Sequence, residues 1–428
     1  FERRTVARIA AVAEQTAPAV RRAGVEGTGP LPATAISSWL RERGGPVTRF
    51  SQHTVVTVPA GLDRARLTAA LDTLTDHHDA LRLRLDIAAD GTWTQQIRPA
   101  GSAPAAERLR HLTVAPAELS AAAAIEREAA VDRLDPEQGV VLQAVHLDAG
   151  PDTDGLLVLA AHHLAVDGVS WRILLPDLRA AYEGRPLDPV AATSPRGWAL
   201  GLAEAATGDR IRAELPGWQA VLADGAGPLL GDRPLDPARD TAATTRRLRL
   251  TLPAARTAPL LTAVPATHRA GVDHTLLAGL ALALLGRRRD RHGAGARADL
   301  LLRLEGHGRE DQLVPGADTT RTVGWLTTEF PARLDLAGLD LDEALTGGAA
   351  AGRALALVKE QLRALPNAGA GYGLLRHLDP VSGPALADAD QPQLLFNYLG
   401  RFTADGAHWT VAREAGDAVA AGADPALP

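Results

Sequence analysis

The sequence predicts a mixed α/β fold, and three observations carry that expectation. Within residues 51–87, alternation of apolar residues at period two gives way to helical spacing and then returns to period two. The same exchange recurs over residues 140–184 and again beyond residue 245. The chain also has 428 residues, enough for two large domains with substantial cores.

Taken in order, residues 2–14 (ERRTVARIAAVAE) have helical spacing, with Val6, Ile9, Ala10 and Val12 able to share a face. A Pro- and Gly-rich linker over 15–29 follows, and the first compact region opens near Pro30. SQHTVVTVPAG alternates as a strand, LDRARLTAALDTLTDHHDA reads as a helix, and LRLRLDI alternates again. A second unit runs through VVLQAVHLDAG and GLLVLAAHH to a helix at VSWRILLPDLRAAYEG, where Pro176 predicts a kink or a break. GRPLDPVAATSPRG is the expected connection between two lobes, dividing the compact chain into 30–190 and 191–428. Beyond it, helices at GWALGLAEAAT and IRAELPGWQAVLA precede a strand at TRRLRLTLP. A buried helix over 275–285 then leads to a strand at ADLLLRLEGHG. The RRRDR run after 275–285 places positive charge at a helix C-terminus, where the helix dipole favours it.

Composition removes several classes of function. With 45 Lys and Arg against 51 Asp and Glu, the net charge of −6 gives no electrostatic reason for a nucleic-acid partner. Cys is absent, which excludes disulfides, thiolate nucleophiles and sulfur-ligated zinc. Met is absent too, so Phe1 is not an initiator, and a longer polypeptide is expected. The opening residues lack a signal-peptide core, and 275–285 is too short to span a bilayer, so no membrane association is expected.

The most informative stretch is LLVLAAHHLAVDGVSW, a strand running through a loop into a helix. Successive strand residues point to opposite faces, so His162 and His163 cannot both face one pocket. One is structural, and the other can project from the strand's end. Asp167, beside Gly168, stands where a carboxylate can cap the helix or hold a cation and so fix the loop. Ser170 and Trp171 complete the motif. Spacing alone leaves catalysis, structure and metal binding all open for this trio, although opposed faces make a three-ligand metal site awkward. His77 and His78 form a second pair that lacks the following Asp-Gly-x-Ser-Trp, and they read as packing or capping residues.

HHLAVDGVSW (162–171) resembles the HHxxxDG motif of the condensation superfamily of nonribosomal peptide synthetases, which is related to chloramphenicol acetyltransferase. That motif does not separate condensation domains from epimerization domains. LEGHGRE (304–310), DTTRTVGWLTTEFP (318–331), PNAGAGYGLL (366–375) and FNYLGRF (396–402) resemble epimerization-domain motifs, in the right order. The N-terminal helix at 1–14 resembles the end of a peptidyl carrier domain. Two departures stand out: the family's opening motif is only loosely echoed by LPATAISSWL (31–40), and the family normally continues beyond FNYLGRF with further strand and helix.

The resemblance implies two chloramphenicol-acetyltransferase-like lobes forming a V-shaped pseudo-dimer with a central tunnel. It implies L-to-D epimerization of an aminoacyl or peptidyl thioester carried on 4'-phosphopantetheine. His163 and Glu305 would be the two acid/base residues. His162, Asp167, Ser170, Arg309, Asn397 and Tyr398 would support the site, with Arg309 anchoring either Glu305 or Asp167. Asp177 reads as structural, and Tyr372 as shaping a loop at the lobe junction. An upstream peptidyl carrier domain is the implied partner, and a downstream condensation domain or module can follow. No metal is expected, and the family places the protein in the cytoplasm. Peptide-bond condensation with the same histidine is the alternative activity, and a carrier-binding domain without activity is the third.

Overall fold

The computed structural model describes residues 26–189, 193–225, 233–293, 295–400, 408–412 and 420–428. The helix expected over 2–14, and most of the linker after it, lie outside the described residues.

The N-terminal half is built on two sheets. The smaller has the order β1–β4–β3, formed by β1 (Gly29–Leu31), β3 (Leu83–Ile87) and β4 (Trp93–Ile97). The larger comprises β2 (Ser51–Val58), β5 (Leu109–Thr113), β6 (Leu142–Asp148) and β7 (Gly155–His162), with two late strands, β11 (Thr410–Val411) and β12 (Ala420–Gly422). Its order is β11–β2–β7–β6–β5, and β12 also pairs with β2. β5 and β6 are parallel, and the other pairs are antiparallel. The strand–helix–strand pattern at 51–87 is therefore real, but its two strands belong to different sheets. Sequence alternation reports a half-buried strand and does not say which neighbour it pairs with.

Every residue of β7 is buried, as its continuous apolar run requires of a strand covered on both faces. Leu157, Leu159 and Ala161 join the main N-terminal core, packed with α1 (Ala35–Arg43), α2 (Arg64–His77) and α4 (Ser170–Tyr182). Leu156, Val158 and Ala160 face the smaller core against α3 (Leu119–Asp132). Local chemistry sets the helix starts. Thr34 caps α1 in a reciprocal capping box with Ser37, and Asp63 caps α2 by accepting from the Arg66 N–H. α4 runs through Pro176 without a break.

The C-terminal half has its own core. The strands β8 (Asp299–Gly306), β9 (Thr328–Asp335) and β10 (Leu395–Phe396) form a sheet of order β10–β8–β9. α5 (Pro195–Ala206), α6 (Leu215–Leu222), α7 (Val272–His292) and α8 (Ala349–Ala364) pack around it. The buried helix expected at 275–285 is the centre of α7, and RRRDR forms part of its last turns. The strand expected at TRRLRLTLP does not form. Residues 245–253 belong to no strand, and Leu248, Leu250 and Leu252 are exposed. Alternation is necessary for a half-buried strand, but a neighbouring edge must also be available.

The halves are joined by more than a linker. Val323 and Trp325, from the C-terminal half, are members of the N-terminal core. In the other direction, β11 and β12 cross to pair with β2. Among the described residues, no helix is long and apolar enough to cross a membrane.

Candidate active site

His162 is fully buried. Its Nε2–H donates to the Val47 carbonyl at 2.8 Å, and its Nδ1 accepts from the Leu164 N–H at 3.2 Å. Burial pushes its pKa down to about 4, so the ring is neutral and structural. His163 leaves the strand on the other side, its N–H bonded to the Phe50 carbonyl at 2.9 Å. Its ring stacks on Phe50 with centroids 5.0 Å apart and packs against Trp325 at 4.7 Å. The opposed-face argument from the strand thus separates the two histidines correctly.

A short relay fixes the tautomer of His163. The indole Nε1–H of buried Trp171 can only donate, and it donates to Gln52 Oε1 at 2.9 Å. That orients the Gln52 amide so that its NH₂ faces His163 Nε2 at 3.0 Å. Nε2 therefore accepts and carries the lone pair, leaving the proton on Nδ1. Nδ1 is buried and points toward the His163 and Val166 carbonyls without completing a hydrogen bond. Burial lowers the His163 pKa, against the pull of those carbonyls and of Asp167. A neutral imidazole is suited to act as a general base once the Gln52 amide releases the Nε2 lone pair that it holds at 3.0 Å.

Asp167 holds the loop after His163. Its Oδ1 accepts from the Ser170 N–H and Oγ–H, both at 2.8 Å, which starts α4. Ser170 Oγ also meets the Gly324 carbonyl at 3.1 Å, across the lobe junction. Arg309 completes the bridge. Its Nη1 lies 2.8 Å from Asp167 Oδ2 and its Nη2 3.1 Å from Oδ1, and Nη2 also donates to the Thr322 carbonyl at 3.0 Å. Of the two partners expected for Arg309, the structure selects Asp167. Gly308 makes this approach possible: its φ is +68°, and a Cβ there would sit 1.5 Å from the Leu326 carbonyl oxygen.

Glu305, near the end of β8, is half-buried. Burial, and then the neighbouring Glu329 carboxylate, push its pKa up to about 7. Glu329 is its direct cross-strand partner, so both side chains share one face of the sheet. Asn397, just past β10, donates through its amide to Glu305 Oε2. Tyr398 follows, half-buried. Tyr372 is buried, packs on Trp218 and donates its hydroxyl to Gln391 Oε1 at 2.9 Å.

Asp177 is structural. It accepts from Arg321 at 2.8 Å and faces His78 Nε2 at 2.9 Å, and these two hydrogen bonds outweigh burial to keep its pKa low. His77, His78 and Asp177 are the group among the described residues whose spacing would suit a metal ion, with ligand atoms within 4.8 Å of one another. Their carboxylate, however, is already neutralised by Arg321.

Sequence reasoning missed Gln52, Trp325 and Glu329 as parts of this site. Gln52 sits in an ordinary alternating strand and is brought in by register, with Ser51 opposite His162. Trp325 is visible in the RTVGW stretch, but its contact with His163 depends on how the lobes close.

The Condensation domain family matches residues 45–413. The chain belongs to the condensation-domain family. A linear gramicidin synthase from Brevibacillus parabrevis is 36% identical over 414 residues, covering 93% of this chain and 5% of that protein. Chondramide synthase cmdD of Chondromyces crocatus is 36% identical over 429 residues, covering 94% of this chain and 10% of that protein. The chain thus spans a tenth or less of the length of these relatives. Among solved structures, the epimerization domain from the third module of tyrocidine synthetase B matches with a TM-score of 0.76 and 27% identity, covering 90% of this chain and 84% of that one. The first condensation domain of the calcium-dependent antibiotic synthetase matches with a TM-score of 0.62 and 20% identity, covering 83% of this chain and 78% of that one. The fold is the two-lobed, chloramphenicol-acetyltransferase-like pseudo-dimer of this condensation-domain family, as the motifs implied.

Proposed function

We propose that this condensation-family domain epimerises the α-carbon of an aminoacyl or peptidyl thioester carried on the 4'-phosphopantetheine of a peptidyl carrier domain, acting in the cytoplasm on an upstream carrier. One observation carries the reading. His163 and Glu305 each lie four residues before a member of the same ion pair, Asp167 and Arg309, and that pair bridges the two lobes. The bridge fixes, at one junction, both the loop that presents a neutral imidazole and the strand end that presents a carboxyl with a pKa near 7. A stereocentre inverts when a proton leaves one face and another arrives at the opposite face, and this requires a base and an acid that are both competent near neutral pH.

In the L-to-D direction, the Gln52 amide turns its N–H away from His163 Nε2, the C–H electron pair moves into the thioester carbonyl to form an enolate, and the proton goes to the freed Nε2 lone pair. Protonated Glu305 then donates its proton to the other face of the α-carbon. Imidazolium and carboxylate remain, and proton exchange with water restores the starting state. The Asn397 amide supports Glu305 once it is ionised, because it donates to that carboxylate. The tyrocidine synthetase B epimerization domain is the relative that favours this activity among those compared. Peptide-bond condensation draws on the same family match and the same histidine, but gives half-buried Glu305 no task.

The test loads a carrier with an L-aminoacyl or peptidyl thioester, adds the domain in deuterated water, and follows α-deuterium uptake and chirality. D-product with deuterium at the α-carbon is expected. His163→Ala and Glu305→Gln should each slow it by about 10²–10⁴-fold. An amide product from two loaded carriers, without α-exchange, would replace this reading with condensation.

A further inference from the structure

Two carboxyls and one guanidinium share a face of the β8–β9 sheet. Glu305 and Glu329 stand directly opposite each other in the ladder, and Arg303 lies two residues before Glu305, so all three side chains project from the same side. Cβ atoms directly opposite in a ladder are roughly 5 Å apart, close enough for two carboxylates to oppose each other's ionisation. Opposite Arg303 stands Pro331, which offers no charge. The long Arg303 side chain therefore has two carboxyls within reach, Glu305 along its own strand and Glu329 on the diagonal. It goes to the diagonal one. Arg303 Nη1 lies 2.8 Å from Glu329 Oε1, and the two side chains are 20% and 9% exposed. Among the described residues Glu305 makes no ion pair, and its hydrogen bond is with the neutral Asn397 amide.

The other charged and titratable groups around this face are engaged elsewhere or act on Glu329. Glu42, on α1, is held by Arg376 and His377, both at 3.0 Å. Arg43, also on α1, favours the Glu329 carboxylate in the same sense as Arg303 does. Tyr372 donates its hydroxyl to Gln391. Beyond the end of β8, His307 faces Glu310 at 3.9 Å and Arg309 is committed to Asp167. Burial pushes both glutamates up, Glu305 to about 7. A cation beside such a pair stabilises one negative charge on it, whereas a second negative charge is repelled by the first. The position of Arg303 decides where the first charge goes. Glu329 takes the cation, and Glu305 keeps the proton.

Resting on the epimerase reading, we propose that Glu329 is a positioning residue that holds the Arg303 guanidinium away from Glu305, so that Glu305 keeps the proton it delivers to the α-carbon. Glu329 touches no reacting atom and acts only through the place it gives to Arg303. Without the Glu329 carboxylate, Arg303 has one carboxyl left to pair with on this face. Its side chain then turns along β8 to Glu305 and favours the ionised form, and the acid of the L-to-D step is lost near neutral pH.

Glu329→Gln keeps the size of the side chain and tests this with two readouts. The first is a ¹³C titration of the Glu305 carboxyl in the full chain, assigned by the signal that Glu305→Gln removes. The Glu305 midpoint should fall by about 1–3 pH units, the effect of an opposite charge beside a carboxylate. The second is α-deuterium exchange against pH. The basic limb of the profile should move down with that midpoint, and exchange at pH 8 should drop about tenfold or more, since each unit changes the protonated fraction tenfold. Adding Arg303→Gln to Glu329→Gln is the deciding comparison. Burial, the larger cause of the raised Glu305 value, survives in the double variant. Its midpoint and its basic limb should therefore return most of the way to those of the parent. Equal midpoints in the single and double variants would mean that Arg303 does not reach Glu305, and an unmoved midpoint in Glu329→Gln would mean that the ion pair is merely structural. Either result overturns the proposal. If the midpoints move as described while none of the proteins exchanges α-protons, the division of charge between the two glutamates stands and it is the epimerase reading that falls.

Discussion

Gln52 decides how His163 can act, because its amide orientation is dictated by a group that can only donate, the Trp171 indole. Replacing the amide with a carboxylate removes the donor facing Nε2 and puts an acceptor in its place. Gln52→Glu should therefore draw a proton onto Nε2, raise the His163 pKa and convert the base into an acid at neutral pH. Exchange should fall by about 10–100-fold at pH 7, with the acidic limb of the rate profile moved to higher pH. ¹⁵N shifts of the His163 ring check the tautomer directly, and an unchanged Nε2 signal would sink the relay. Glu305 allows a second test, on stability. Its pKa in the fold, about 7, lies above the ordinary carboxylate value, so the folded state binds the extra proton between those limits. Its contribution is fully present below the unfolded pKa and is lost as pH rises through 7. Glu305→Gln resembles the protonated form, so it should match the parent in Tm at pH 5 and exceed it by a few degrees at pH 8. A gap that does not open with pH would mean that Glu305 is better solvated than its burial implies.

At the scale of elements, the loop after β7 and the loop after β8 meet through Asp167 and Arg309, whose side chains are 2% and 8% exposed. Removing one partner from a buried pair strands the other charge, at about 3–5 kcal/mol. Asp167→Ala and Arg309→Ala should each cost about that much in denaturant unfolding, and the double variant should cost clearly less than their sum. Additive losses would show that the two side chains are not coupled. This is also where the legibility of the sequence changes. Continuous burial of β7, the helix of α7 and the split of His162 from His163 follow from local periodicity and from strand geometry, so they can be read without coordinates. The choice of Asp167 over Glu305 as the Arg309 partner depends on Gly308 lying against Leu326, a contact between distant segments. Likewise, 245–253 alternates as a strand should yet finds no ladder, and β2 and β3 alternate alike yet join different sheets. Periodicity reports which side of a segment is apolar, whereas pairing is settled by the rest of the chain.

For the molecule as a whole, the C-terminal crossing does what no single contact does. β11 and β12 both pair with β2, and Ala421 lies opposite Gln52, so the last segment backs the strand that orients His163. Trp409, Ala412 and Leu427 are buried with it, and Trp409 packs against Tyr182 at 5.2 Å. Deleting residues 408–428 would leave the outer edge of β2 unpaired, an open template for association with other chains. It would also empty the site filled by Trp409, whose loss alone is worth about 3–5 kcal/mol. At roughly 2–4 °C per kcal/mol for a domain of 150–250 residues, Tm should fall by about 6–20 °C, and light scattering should detect oligomers. Trp409→Ala separates the two effects. It keeps both strands on β2, so it should lower Tm while staying monodisperse and retaining the ¹⁵N signature of neutral His163, which the deletion should lose. A deletion variant that keeps Tm, solubility and that signature would mean that β2 and Gln52 are held from the β7 side alone.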